Sequence, residues 1–215
     1  MKIPSDRRCC IHSRRPEKAI LRRALDVITA AGVVVFPTHC LYGLGADAFN
    51  ARSIEKIFTI KRRSRQRPIL VLIHSRRQVG ELVKTVSPTA VALMDRFWPG
   101  KVTLVFEAAD GIPQNLTAGS GRIGIRLAAH PVARALAQAL GSPLTATSAN
   151  LSGSPGVSDV NDLPPALTQQ LDLILDAGPL SGGPGSTVVD VSVDPPRVIR
   201  EGLVPEGVFK RLLKG

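Results

Sequence analysis

The chain has no apolar run near the roughly 20 residues that a membrane-spanning helix needs, so a spanning segment is not expected. Its first eighteen residues, MKIPSDRRCCIHSRRPEK, are basic but have no apolar centre, which argues against a secretory signal. There are three cysteines, an odd number, two of them the adjacent Cys9 and Cys10. That count does not make a disulfide framework, and neighbouring cysteines seldom meet disulfide geometry. The expectation is a reduced, cytoplasmic protein with no membrane partner. Trp98 and Tyr42 are the sole residues of their types, too few for an aromatic platform that stacks single-stranded bases.

Several familiar sites are missing as well. No GxxxxGK[ST] occurs, which excludes a P-loop. Gly119-Ser-Gly121-Arg-Ile-Gly124 spells GxGxxG, but it precedes a strand-like run instead of opening a helix, so it is no dinucleotide fingerprint. The four histidines and three cysteines show no zinc-ligand spacing. His39 beside Cys40 evokes a thiol nucleophile, yet strand neighbours point to opposite faces, which counts against that pair.

What is present is a chain of 215 residues, 44% hydrophobic, with a formal charge of +11. That length buries a sizeable core. The charge is concentrated: residues 1–23 carry +6 and residues 52–77 carry +8, leaving −3 for the rest. Two segments thus supply the basic character, and their natural partner is a polyanion, either RNA or a nucleotide triphosphate.

Gly32 to Asp47, GVVVFPTHCLYGLGAD, organises the chain. Val33 to Phe36 reads as a buried strand, and Pro37, which cannot donate to a ladder, should end it. Thr38, His39, Cys40 and the glycines Gly43 and Gly45 then read as a loop where a ligand could approach the backbone. An ordinary turn fits the same residues. A helix is expected over Pro16–Ala31, capped by Gly32, and another after Asn50 with Ile54, Ile57 and Phe58 inward. Arg76–Val86, a segment opened by Ser87-Pro88, Pro131–Leu140, Pro165–Leu171 and Pro205–Leu213 also read as helices. Strands are expected at Ile69–Ile73, Val102–Phe106, Ile123–Leu127, Leu144–Thr147, Leu173–Leu175, Ser186–Val193 and Val198–Arg200. Interleaved strands and helices give an α/β class with one sizeable mixed sheet. Residues 1–15 read as a basic, flexible tail and 16–215 as a single domain.

Candidate binding groups lie on the loops. Lys61, Arg63, Arg65 and Arg67 precede a core strand that can hold them rigidly, and arginine forks grip phosphate in bidentate fashion; a basic run is also the usual composition of a solvated face. Ser148 and Asn150 follow a strand and suit either a ligand or an Asx turn. Arg126 ends an apolar strand, where an unpaired cation is costly, so a carboxylate partner is expected, from a ligand or from the protein. Ser186 and Arg200 repeat the pattern near the C-terminus.

FPTHCLYGLGADAFN, IKRRSRQRP, RFWPGKVTLVF, IGIRLAAHP, TATSANLSG, GSTVVDV and VIREG follow one another in the order found in the YrdC-like family. Seven such motifs over residues 16–210 resemble that family closely, and most of all its TsaC-type threonylcarbamoyl-AMP synthases. The resemblance implies an open, twisted mixed α/β sheet flanked by helices around a basic concave surface. It implies a nucleotidyltransferase that condenses L-threonine, bicarbonate and ATP to threonylcarbamoyl-AMP and pyrophosphate, with Mg²⁺ accompanying ATP. The product feeds threonylcarbamoyladenosine formation in tRNA, so tRNA and downstream threonylcarbamoyl-transfer proteins are implied partners. Carried over by position, Lys61, Arg63, Ser148 and Asn150 are the implied catalytic and ATP-binding groups, with Arg67 and Arg200 as further nucleotide contacts. Thr38, Cys40, Arg126 and Ser186 are the implied threonine contacts. The chain departs from the family pattern at His39, Cys40, Lys101, Ala128 and Glu201. Two alternatives remain open at this level. One is an RNA-binding or ribosome-associated module on the same basic concavity. The other is carbamoyl transfer as in hydrogenase maturation, where this unit sits in a far longer chain.

Overall fold

The structure, a computed structural model, describes residues 5–212. The elements in chain order are β1 (Arg8–Cys10), α1 (Lys18–Thr29), β2 (Val34–Pro37), β3 (Tyr42–Gly45), α2 (Ala51–Lys61), β4 (Val71–Ile73), α3 (Val79–Leu82) and α4 (Pro88–Phe97). Then follow β5 (Val102–Glu107), α5 (Gln114–Thr117), β6 (Arg122–Leu127), α6 (Pro131–Leu140), β7 (Leu144–Thr145) and β8 (Thr147–Ser148). The last are α7 (Pro165–Thr168), β9 (Leu173–Asp176), β10 (Thr187–Asp190), β11 (Arg197–Arg200) and α8 (Glu206–Leu212).

These strands form two mixed sheets, not the one expected. A five-stranded sheet runs β1-β9-β2-β3-β8, and a six-stranded sheet runs β11-β10-β5-β6-β4-β7. The expected strand over Leu144–Thr147 is split between them: β7 pairs with β4 in one sheet and β8 with β3 in the other. Ala146, between the two, donates its N–H to the Leu70 carbonyl at 2.9 Å. A uniform apolar and threonine run carries no mark of where a chain changes sheets.

Period-2 alternation explains the packing. Val33 and Val35 face one apolar cluster while Val34 and Phe36 face a second, beneath α1 and α6. β4 does the same, with Val71 and Ile73 on one side and Leu72 on the other. Strands covered on both faces read as unbroken apolar runs, which is how both were legible in the sequence.

Tyr42–Gly45 corrects a second expectation. It is a strand antiparallel to β2, with Pro37 opposite Tyr42 and Val34 opposite Gly45, so the turn between them is only Thr38–Leu41. Its glycines answer to space: a Cβ on Gly45 would stand 2.6 Å from the Phe36 ring. Gly32 likewise does not cap α1 as expected. Ala31 takes the left-handed backbone at φ 61°, and a Cβ on Gly32 would lie 2.6 Å from Val27.

α2 follows its local rules. Asn50 accepts the N–H groups of Arg52 and Ser53, a cap that contributes about 1 kcal/mol. Ile54, Ile57 and Phe58 are buried, each contributing roughly 1.5–3 kcal/mol. The helix ends where Arg62 adopts φ 49° and Arg63 N–H closes back on the Phe58 carbonyl at 2.9 Å. The helix expected over Arg76–Val86 shrinks to one 3₁₀ turn and α3, because Lys84 N–H donates instead to the Glu107 carbonyl at the end of β5 and Val83 bridges Ala108 just beyond it.

The flexible tail is corrected for Arg8–Cys10, which pair in parallel with Ile174–Asp176 of β9. Arg8 donates Nε and Nη2 to Asp176 Oδ2 at 2.9 and 2.6 Å, a fork that anchors the strand. Residues 1–4 lie outside the described residues. Cys9, Cys10 and Cys40 are free thiols. No helix among the described residues is long and apolar enough to cross a membrane.

Candidate functional site

The two sheets diverge around a cleft of about 1090 Å³. β3 and β8 form one wall; β5, β6, β10 and β11 form the other. Five arginines line it, Arg63, Arg67, Arg122, Arg126 and Arg200, and no carboxylate does. Such a surface favours an anionic ligand and holds it in partial exclusion of water.

Nine of the residues picked from the sequence meet here: Thr38, Cys40, Arg63, Arg67, Arg126, Ser148, Asn150, Ser186 and Arg200. They come from six separate segments of the chain. Two others are not on the cleft surface: Arg65 pairs with Glu55 at 2.7 Å on the outside, and Lys61 lies within. It is 1% exposed, and its Nζ donates to the carbonyls of Ser148 and Asn150 and to Asn150 Oδ1. Burial, then Arg63, pushes its pKa down to about 7. Three acceptors nonetheless suit the three donors of an ammonium. Asn150 Oδ1 also accepts the Ser148 hydroxyl at 2.5 Å, while Asn150 Nδ2 donates to the carbonyls of Leu151 and Ser154. Lys61 is therefore the post beneath the Ser148–Asn150 loop.

Arg63 is aimed by its own neighbours, with Nε on the Arg67 carbonyl at 3.1 Å and Nη2 on the Pro68 carbonyl at 2.8 Å. Burial and the nearby Arg67 and Arg200 hold its pKa below the ordinary value. Crowded cations raise one another's cost, a cost that a polyphosphate would relieve. Arg200 Nη2 donates to the Ser186 carbonyl at 2.7 Å. Their backbones nearly touch, since a Cβ on Gly202 would lie 2.2 Å from the Gly185 oxygen.

Arg126 is the least exposed to water of the arginines among the described residues. It is 9% exposed, and no hydrogen bond or ion pair with another described residue engages it. Burial lowers its pKa to about 10; Cys40 opposes that shift and Arg200 adds to it. Around it sit Thr38, whose hydroxyl donates to the Leu41 carbonyl at 2.5 Å, and Cys40, whose thiol reaches the Pro184 carbonyl at 3.5 Å. Burial raises the Cys40 pKa, and a thiol so held is not an activated nucleophile. Ser186 shares a 2.8 Å hydrogen bond with Thr103 on the next strand.

Arg122 and Thr103 were missed from the sequence. Arg122, Gly124 and Arg126 alternate along β6, so all three face the cleft, and that period-2 spacing was the available signal. Arg122 pairs with the fully buried Asp190 at 2.9 Å. Of the departures from the family pattern, His39 is exposed and does not line the cleft, and Ala128 lies buried beside Arg126. Glu201 accepts the Glu206 N–H at 3.0 Å and so caps α8.

The chain matches the Sua5/YciO/YrdC family model, described as telomere recombination, over residues 26–202. It belongs to the Sua5/YciO/YrdC family. A threonylcarbamoyl-AMP synthase of Pyrococcus abyssi is 34% identical over 191 residues, which cover 89% of this chain and 56% of that protein. A threonylcarbamoyl-AMP synthase of Bacillus subtilis is 38% identical over 183 residues, covering 85% of this chain and 53% of that one. The solved structure of Pyrococcus abyssi Sua5 complexed with L-threonine superposes with a TM-score of 0.89 at 32% identity. It covers 95% of this chain and 60% of that one. The chain thus spans about half the length of these two curated Sua5/YciO/YrdC relatives.

The donors lining the cleft do not fit a resident metal, because none is a carboxylate and no cluster of three or more ligating side chains occurs among the described residues.

Proposed function

We propose that this protein is an L-threonylcarbamoyladenylate synthase, a nucleotidyltransferase that joins L-threonine, bicarbonate and ATP. The observation that carries the reading is Arg126, a buried guanidinium without a partner among the described residues, lining a carboxylate-free cleft. A buried cation without a protein partner is costly, and a substrate carboxylate repays that cost on binding. The naming of relatives as threonylcarbamoyl-AMP synthases, and the threonine complex of one, support threonine as that substrate.

In this reading threonine lies against Thr38 and Cys40 with its carboxylate on Arg126. Its amine attacks the bicarbonate carbon; a C–N bond forms and hydroxide departs, taking up the amine proton as water. An oxygen of the resulting N-carboxylate attacks the α-phosphorus of ATP, a P–O bond forms, and the bond to the β-phosphate oxygen breaks to release pyrophosphate. No protein nucleophile is needed. Arg63, Arg67 and Arg200 neutralise the phosphates and the pyrophosphate charge, and Ser148 and Asn150 fix the nucleotide's position. Mg²⁺ would arrive with ATP, held by phosphate oxygens, since no carboxylate lines the cleft among the described residues.

The burial of Arg126 favours this reading over an RNA-binding module. A carboxylate of three heavy atoms reaches a guanidinium that is 9% exposed, whereas a duplex backbone needs cations on an open face. Transfer of the threonylcarbamoyl group to tRNA by a downstream protein would consume the product. The test is pyrophosphate release from ATP, which should require threonine and bicarbonate together and be lost in Arg63→Ala and Ser148→Ala. Release indifferent to threonine overturns the assignment.

A further inference from the structure

The strip of chain from Ala177 to Ser186 has neither helix nor strand, yet it forms part of the cleft. Its last four residues line the cleft, and the Gly182 N–H donates to the Cys40 carbonyl at 3.0 Å. Gly178, Gly182 and Gly183 all take positive φ, so the strip has little stiffness of its own. Two side chains of the five-stranded sheet fix its start. Asp176, the last residue of β9, accepts the Gly178 N–H on Oδ1 at 2.9 Å. The Tyr42 hydroxyl donates to the Gly178 carbonyl at 2.7 Å and accepts the Ala177 N–H at 2.9 Å.

Asp176 is itself held from outside the cleft. Its carboxylate is largely buried, and the Arg8 fork takes the other oxygen, Oδ2. Arg8 is its one paired cation among the described residues, and it lies ahead of residues 26–202, the span that matches the family model. Arg8 Nη1 also donates to Asn161 Oδ1 at 3.0 Å. Nearby in the chain, the Ser158 carbonyl accepts the Leu180 N–H at 2.8 Å. One guanidinium therefore ties down both segments that the strip leans on. A buried carboxylate stripped of its cation is strongly disfavoured. It regains solvation by turning toward water, and that motion releases the Gly178 N–H.

Resting on the synthase reading, we propose that Arg8 is a positioning residue for the threonine side of the cleft, acting through Asp176. The ion pair keeps Asp176 turned to Gly178, and Gly178 sets where the strip meets the Cys40 turn. Two contacts make that meeting, the Gly182 N–H on the Cys40 carbonyl and the Cys40 thiol on the Pro184 carbonyl at 3.5 Å. Arg8 touches no substrate, so its influence passes wholly through the backbone it steadies. Arg63, Arg67, Ser148 and Asn150 stand on other segments, outside this chain of contacts. Loss of Arg8 therefore weakens the hold on threonine and spares the hold on ATP.

The experiment compares wild type, Arg8→Met, Arg8→Lys and the double variant Arg8→Met with Asp176→Asn. Hydrogen exchange of the Gly178 and Gly182 amides is read by NMR, and KM for threonine and for ATP by pyrophosphate release. Methionine leaves Asp176 charged and unpaired, whereas asparagine removes that charge and keeps an oxygen for the Gly178 N–H. In Arg8→Met both amides should exchange at least ~10-fold faster. Its KM for threonine should rise ~10-fold, with KM for ATP within ~2-fold of wild type. Arg8→Lys, which keeps the charge without the fork, should show the same changes at ~3-fold, and it carries the test if Arg8→Met does not fold. The double variant should return exchange and KM to within ~3-fold of wild type. A lower melting temperature with exchange and KM unchanged overturns the proposal and leaves Arg8 as an anchor of β1 alone. A double variant no better than Arg8→Met, or an equal rise in both KM values, overturns it as well. If wild type releases no pyrophosphate the synthase reading fails by itself. The exchange rates then decide the Arg8 proposal, supported by faster exchange that the double variant restores and overturned by its absence.

Discussion

Lys61 Nζ donates to the Asn150 carbonyl at 2.7 Å and to Asn150 Oδ1 at 3.0 Å, joining the end of α2 to the loop that carries Ser148. A buried ammonium here serves the cleft from behind. Its charge is spent on the loop, so the side chain positions Ser148 and Asn150 and does not itself line the ligand space.

Two opposite pH effects follow from that ammonium. Its pKa of about 7 lies below the ordinary lysine value of 10.5, so the unfolded chain binds more protons between those limits. Stability contributed at this site therefore rises with pH across that window and is lowest below pH 7. Activity should instead fall above about pH 7, because the neutral amine has one donor fewer for three acceptors. Denaturant melts and rate profiles of wild type and Lys61→Met, taken from pH 6 to 10, measure both. The variant should lack both trends, and a wild-type rate that keeps climbing through pH 9 contradicts the positioning role.

Arg126→Met should separate stability from function. Removing an unpartnered buried charge in favour of an apolar side chain is expected to be neutral or to stabilise by about 1 kcal/mol or more. Threonine-dependent turnover should be lost with the guanidinium. A melting temperature several degrees lower than wild type would instead mean that Arg126 holds the fold together.

Gly202→Ala tests how the cleft's far wall is built. A Cβ there would lie 2.2 Å from the Gly185 oxygen and 2.6 Å from the Ser186 carbonyl carbon, both backbone atoms. The strands must part, at a cost of about 1–3 kcal/mol, and Ser186 and Arg200 move with them. Thermal unfolding should show that loss, together with weaker binding of ATP by calorimetry. Unaltered stability would show that the backbones have slack.

Much of the fold was legible because local rules and burial agree. The strands at Val33–Phe36 and Ile69–Ile73, the Asn50 cap and the α6 boundaries Pro131 and Gly141 were all visible as apolar runs or terminating residues. The site was half-visible. Arginines and small polar groups at strand ends could be singled out, whereas Arg122 hid in a stretch whose alternation pairs it with Gly124 and Arg126. Lys61 looked like Arg63, two residues away in the same basic run, although one is buried and the other lines the cleft.

The amino-acid sequence by itself determined the α/β alternation, the two basic segments and the set of side chains able to meet an anion, because periodicity, capping and charge are properties of neighbours along the chain. Only the tertiary structure decided that the strands divide into two sheets at Ala146 and that Gly32–Asp47 contributes a strand pair where a long loop was expected. It also decided that Arg126 has no hydrogen-bond or ion-pair partner among the described residues while Lys61 has three acceptors. The physical reason is that pairing register and desolvation depend on residues about a hundred positions apart, and these meet only when the sheets close around the cleft.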